Sequence, residues 1–246
     1  RELYDVEAKI AAMDRMRIDI SALSVAPPTY FYDLSAEAGL AASRLGNDGI
    51  AQMVAKYPAR LRGMATLPMQ DPDAAITELE RVVKEYKFKA VEMGTSIEGE
   101  QLAHPRFRPV LKTIEQLGCF IFTHPYACSA KGGMDSYELF NTVGYPLDST
   151  LMVAHLMASG ALDELKKLRI VIPHGGKMSR LLGDRDGTMP AWYAFNNTLT
   201  NTQLQAFTKK ARTSYGESDC RAACYSGHTG GTENWGGAPP GAILVT

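Results

Sequence analysis

The chain has 246 residues, 45% of them hydrophobic and 22% charged, which suits one large α/β domain with a real core and excludes general disorder. Its 26 Lys and Arg balance 27 Asp and Glu, a formal net charge of -1, so nothing steers it toward nucleic acid or an anionic membrane. No apolar run approaches the ~18 residues that span a bilayer.

The opening RELYDVEAKI has no hydrophobic signal region and no initiator Met, as expected of a processed end or an incomplete gene. The first strand expected is Ile20 to Val25, closed by Pro27-Pro28, and Ala36 to Tyr57 follows with helical periodicity until Pro58. Leu61 to Leu67 is the next strand. Asp71-Pro72-Asp73 then offers an N-cap with Pro at the first helical position, and a helix to about Tyr86. Lys89 to Thr95 is a strand, Pro105 to Leu117 a helix, and Cys119 to Thr123 a strand running into His124-Pro125. Leu147 to Leu168 is helical with a break near Gly160, and Arg169 to Pro173 is a strand running into His174-Gly175-Gly176.

Strands alternating with helices of this length require a mostly parallel sheet, either doubly wound or closed as a barrel. No GxGxxG follows an early strand, which favours the (β/α)₈ barrel, here spanning residues 1–208. Residues 209–246 are rich in Gly, Ser, Thr and Ala and read as a divergent tail or a last barrel unit, with Ala242 to Val245 as the one candidate strand.

Four cysteines, Cys119, Cys128, Cys220 and Cys224, are too irregular for a disulfide framework, and a cytoplasmic location is the expectation. Cys119 opens an apolar run and is expected to be a buried thiol. Cys220, Cys224 and His228 lack a second pair for a zinc ribbon, although a local metal cluster is conceivable. Neither a P-loop nor a G-x-S-x-G elbow is present.

Among five histidines, His124 and His174 each follow the C-terminal end of an expected strand, where barrels build their active sites. Two imidazoles there can bind a metal, shuttle protons, or do one of each. His104 sits in an N-cap turn, structural or exposed. His155 lies within a helix and is expected in a core or half-buried position. Glu92, inside a strand, faces either the barrel interior, with a metal or an Arg as partner, or the polar edge of the outer helices.

The segments MDRMRIDISALSVAPP, YPARLRGMATLPMQDPDAAITELERVV, KAVEMGT, FIFTHPY, IVIPHGG and FNNTLTNTQLQ, in this order, resemble the amidohydrolase-related decarboxylases over roughly residues 1–204. That group includes aminocarboxymuconate-semialdehyde decarboxylase, γ-resorcylate decarboxylase and 6-methylsalicylate decarboxylase. The resemblance implies a distorted (β/α)₈ barrel holding one divalent ion, Zn²⁺ or Mn²⁺, and acting on a small aromatic or muconate-type carboxylic acid. It implies His124 as a metal ligand, His174 as the acid/base, and Asp219, in Tyr-Gly-Glu-Ser-Asp, as a further ligand. Family members are commonly dimers or larger. A first strand bearing H-x-H or E-x-H, which the resemblance also implies, is expected to be missing, and Lys177 stands where a third Gly is common after H-G-G. With so few protein ligands, metal binding is expected to be weak, because a catalytic Zn²⁺ normally takes three. A metal-dependent hydrolase on the same barrel and an inactive truncated paralogue remain alternatives.

Overall fold

The computed structural model describes residues 5–126, 132–134, 136 and 139–173, together with the strands Tyr193–Ala194 and Ile243–Val245. Helix α1 (Val6–Met16) is capped by Asp5, whose side chain accepts from the Ala8 amide, and ends at Arg17 in the left-handed region with φ 57°. Strand β1 (Ile20–Leu23) follows, then a short 3₁₀ turn at Pro27–Thr29 and helix α2 (Ala36–Lys56), capped by Ser35. Strand β2 (Leu61–Ala65) leads to α3 (Pro72–Tyr86), where Asp71 accepts from the amides of Asp73 and Ala74 and Pro72 occupies the first turn. Buried Ala75, Glu78, Leu79 and Val82 recur at helical spacing on its inner face.

Strand β3 (Ala90–Gly94) is buried throughout and is followed by a small hairpin, β4 (Ser96–Ile97) and β5 (Glu100–Gln101). A 3₁₀ turn capped by His104 opens α4 (Arg108–Gln116), and β6 (Phe120–His124) comes next. A π-helical turn (Phe140–Gly144) feeds α5 (Tyr145–Ala158). Gly160, at φ 72°, then breaks the helix before α6 (Ala161–Glu164) and β7 (Arg169–Val171). Strands β8 (Tyr193–Ala194) and β9 (Ile243–Val245) complete the described elements.

The main sheet runs β8-β7-β6-β3-β2-β1-β9, with every neighbouring pair parallel. From β1 to β8 each new strand of this sheet is added on the same side, so the sheet is singly wound. A doubly wound sheet reverses its strand order instead. The two faces differ accordingly. Leu23, Leu61, Ala65, Val91, Met93, Ile121 and Ile170 share one core with helix residues such as Leu79, Val82, Val110, Leu111, Met152 and Leu156. Ala22, Met64, Ala90, Phe122 and Val171 form a second, smaller cluster on the opposite face.

The edge of β1 away from β2 carries β9, with Ile20 opposite Ile243 and Ala22 opposite Val245. No pairing joins β8 to β9 among the described residues. Among those residues, too, no helix is long and apolar enough to cross a membrane.

The middle of α2 is fixed by a buried polar network. Asn47 donates from Nδ2 to the Thr66 carbonyl at 3.0 Å and to Glu78 at 2.7 Å, while its Oδ1 accepts from the Thr66 amide at 2.8 Å. Arg81 completes the pairing of Glu78 through two contacts of 2.8 Å. This clamp sets the residue just past β2, and so the strand end on which the β2–α3 connection begins.

Candidate functional site

Parallel strands bring their C-terminal ends to one edge of the sheet, and in βα folds that edge carries the chemistry. Here Leu23, Ala65, Gly94, His124 and Val171 close their strands on this edge. Within β3, Glu92 lies two residues from Ala90, and within β6 His124 lies two residues from Phe122. Strand alternation therefore turns both toward the face opposite the helices. Gly94 and His124 are direct register partners.

His124 is partly buried, and its Nδ1 lies 2.8 Å from the Pro125 carbonyl oxygen. A carbonyl oxygen only accepts, so Nδ1 is the donor in this contact. That is the arrangement a metal-ligating histidine adopts, with its second nitrogen anchored on a backbone carbonyl. Tyr145, the first residue of α5, meets the imidazole edge-on with ring centroids 5.6 Å apart, and Phe140 backs Tyr145 at 4.9 Å.

The other side of the site is a cluster of tyrosines. The β1–α2 connection folds Tyr30 and Tyr32 down onto β3, each only 1% exposed, with ring centroids 5.3 Å apart. The Tyr30 hydroxyl donates to Glu92 Oε1 at 2.7 Å, and the Tyr32 hydroxyl accepts from the Gly94 amide at 3.2 Å. Tyr126, two residues beyond His124, packs on both rings at 5.8 Å. Phe31 between them stands at φ 54°, an uncommon conformation for a bulky residue, and its carbonyl accepts from Gln70 Nε2 at 3.1 Å. Gly94 is required where Tyr32 crosses the strand end, since a Cβ there would lie 2.8 Å from the Ser96 carbonyl and 3.1 Å from the Tyr32 ring.

Burial pushes the Glu92 carboxyl up to about 7, against the opposing pull of hydrogen bonds from Ser24 and Tyr30. Burial likewise raises Tyr30 well above its ordinary value, with the Glu92 charge adding to it. Burial also raises Tyr126, next to Asp33.

Of the residues singled out in the sequence, His124 stands at the expected strand end, and β7, which leads to His174, is the neighbour of β6 in the sheet. His174 itself, Asp219, His228, Cys128, Cys220 and Cys224 lie outside the described residues. Glu92 is buried, as one of its two readings required, but its partners are the neutral hydroxyls of Tyr30 and Ser24, where a metal or an Arg was expected. The expectation for His155 is corrected: its ring is exposed on α5, because the buried stripe of that helix runs through Met152, Val153 and Leu156. His104 is an exposed cap whose Nδ1 accepts from the Arg106 amide, and Cys119 is a buried free thiol. Reasoning from sequence missed the tyrosine cluster. Its signal was the concentration of three aromatics, Tyr30, Phe31 and Tyr32, just beyond Pro27-Pro28 at a strand's C-terminal end.

As a fit for a divalent ion, the described residues are incomplete. They contain no group of three His, Cys, Asp or Glu side chains close enough to share an ion. Among the described residues at this strand edge, His124 has the chemistry of a ligand, a partly buried imidazole with its second nitrogen anchored.

Fold and site together define a singly wound α/β protein with a partly buried, anchored histidine at the C-terminal edge of its sheet. Residues 6–202 match the model of the amidohydrolase family, described as Amidohydrolase, and the chain belongs to that family. Over 173 residues it is 31% identical to 2-amino-3-carboxymuconate-6-semialdehyde decarboxylase of Dictyostelium discoideum, covering 70% of this chain and 48% of that protein. Over 190 residues it is 32% identical to γ-resorcylate decarboxylase of Rhodococcus jostii, covering 72% of this chain and 57% of that protein. Among solved structures it resembles the dihydroxybenzoic acid decarboxylase of Polaromonas sp. JS666, with bound manganese and the inhibitor 2-nitroresorcinol. That match has a TM-score of 0.64 and 26% identity over 78% of this chain and 61% of that one. The chain thus spans about half the length of the curated relatives it matches.

Proposed function

We propose that the chain is the larger part of a distorted (β/α)₈ barrel that performs non-oxidative decarboxylation, a carbon–carbon lyase reaction on a small aromatic or muconate-type carboxylic acid. His124 is a ligand of one divalent ion, Mn²⁺ or Zn²⁺. Asp219 is a further ligand, and His174 is the acid/base. The observation that carries this reading is the anchoring of His124: a strand-end imidazole whose Nδ1 proton is committed to a backbone carbonyl, on the strand beside the one that leads to His174. The relatives named above, one of them with manganese bound, supply the reaction class and the metal.

A divalent ion held by His124 and Asp219 would supply positive charge to the oxygens of the substrate. The carbon–carbon bond to the carboxylate then breaks. CO₂ departs, the bonding pair stays on the substrate carbon, and that carbon takes one proton, so no oxidant or reductant is needed. His174 moves that proton as a general acid. The contact of Nδ1 with the Pro125 carbonyl and the edge of Tyr145 limit rotation of the His124 ring.

The test uses the full chain. Mn²⁺ bound near one equivalent in equilibrium dialysis at excess metal, with CO₂ released from 2,6-dihydroxybenzoate, supports the reading. His124→Ala should lose the metal, whereas His174→Ala should keep it and stop turnover. Full activity in both variants would refute both assignments, and absence of bound metal in the unaltered chain would refute the metal-dependent function.

A further inference from the structure

Glu92 has no part in the reaction as assigned above, yet it is 3% exposed and sits in the most constrained part of the site. A buried carboxyl is costly to keep, and an apolar pair of similar shape in place of the two partners could be nearly neutral. What Glu92 holds is specific. It takes hydrogen bonds from Ser24 and Tyr30, at the start and middle of the β1–α2 connection. The same connection is tied a second time, by Tyr32 at Gly94, and a third time, by Gln70 at the Phe31 carbonyl. The turn it makes carries Phe31 at φ 54°, a conformation that costs on its own and persists only where the surroundings over-determine it.

The ties converge on the histidine. Tyr30 and Tyr32 are the two rings against which Tyr126 packs, and Tyr126 is joined to His124 through Pro125 alone. Gly94, which Tyr32 engages, is the register partner of His124. Glu92 therefore reaches the histidine by two routes, one along β3 through Tyr32 and Gly94, the other through the tyrosine rings and Tyr126.

We propose that Glu92 is a positioning residue: through its hydrogen bond from Tyr30 it sets the β1–α2 connection against Tyr126 and Gly94, and so fixes the segment that presents His124. This rests on the reading of His124 as a metal ligand, but the packing effect stands apart from it.

The experiment compares the full chain with Glu92→Leu, Glu92→Gln, Tyr30→Phe and the Glu92→Leu/Tyr30→Phe double variant, each checked for native circular dichroism. Two quantities are read: the Mn²⁺ dissociation constant, by competition with a chelator, and amide hydrogen exchange at Gly94 and over residues 124–126. Glu92→Leu and Tyr30→Phe should each weaken Mn²⁺ binding about tenfold, the usual loss when the support of a ligand is removed. Exchange at Gly94 and Tyr126 should speed up by about the same factor. The double variant should be no worse than either single one, since all three lack the same bond. Glu92→Gln should stay within about twofold of the unaltered chain, because its amide oxygen still accepts from Tyr30. Unchanged exchange in folded Glu92→Leu or Tyr30→Phe overturns the proposal. So does Glu92→Gln behaving as Glu92→Leu, which would point to charge and not to the bond. If Glu92→Leu does not fold, Tyr30→Phe decides alone. If the unaltered chain binds no Mn²⁺, the metal reading fails while the exchange data still judge the positioning role.

Discussion

Glu92→Gln makes a quantitative probe of the site, because the carboxyl it removes titrates differently in the folded and unfolded chain. Burial holds the folded carboxyl at about 7, against 4.5 when unfolded. Below pH 4.5 both states carry the proton and Glu92 contributes nothing to the pH dependence. Between 4.5 and 7 the unfolded chain gives up its proton while the folded chain keeps it, so stability falls as pH rises, and above 7 the full penalty is present. At 1.36 kcal/mol per tenfold change in protonation, the gap is worth about 3 kcal/mol. Gln is neutral at every pH and keeps an acceptor for Tyr30. Urea unfolding of both proteins at pH 4.5 and pH 8 isolates the effect, since every other titrating group is shared. Relative to the unaltered chain, Glu92→Gln should gain about 3 kcal/mol between the two pH values, as a shift in midpoint at unchanged slope. Parallel pH profiles for the two proteins would refute the reasoning, and would mean that Glu92 is solvated in the folded state.

Three further outcomes follow from the same geometry. Asn47→Ala strands the Thr66 amide and removes one of the two hydrogen bonds to buried Glu78 Oε1, the one from Arg81 remaining, and should cost about 1–3 kcal/mol in urea unfolding. Gly94→Ala forces a Cβ against the Ser96 carbonyl and Tyr32; it should cost about 1–3 kcal/mol in thermal unfolding and expose Tyr32 to solvent in tyrosine absorbance. His155→Ala, on an exposed face of α5, should leave stability within about 0.5 kcal/mol and metal retention unchanged.

Local chemistry made much of the fold legible. Asp71-Pro72 announced the start of α3, Gly160 the break after α5, and the apolar runs at Leu61, Ala90, Phe120 and Arg169 the parallel strands, each within a residue or two of its observed start. Helix α1 went unread because its buried stripe, Val6, Lys9, Ala12 and Met13, includes a lysine, while apolar residues such as Ile10 and Met16 lie off it. The β4–β5 hairpin is too short for any period to show. His124 was legible because a strand end is a sequence-local fact. The tyrosine cluster was not, since Tyr30 and Glu92 meet across sixty-two positions and nothing near either one names the other. His155 was misplaced for a related reason: in a helix as apolar as α5, periodicity alone does not say which side faces solvent.

Strand β9 gives the chain an order of assembly. Its partner Ile20 is made well before Ile243, so during synthesis this rim of β1 must wait for its partner until residues 243–245 have emerged. Such a distant pairing raises contact order and slows the final step, although the entropy of closing so long a loop grows only with the logarithm of its length. Removal of residues 243–245 should therefore leave a domain that still forms helices but presents a sticky rim, recruiting other copies through it and sedimenting as aggregates.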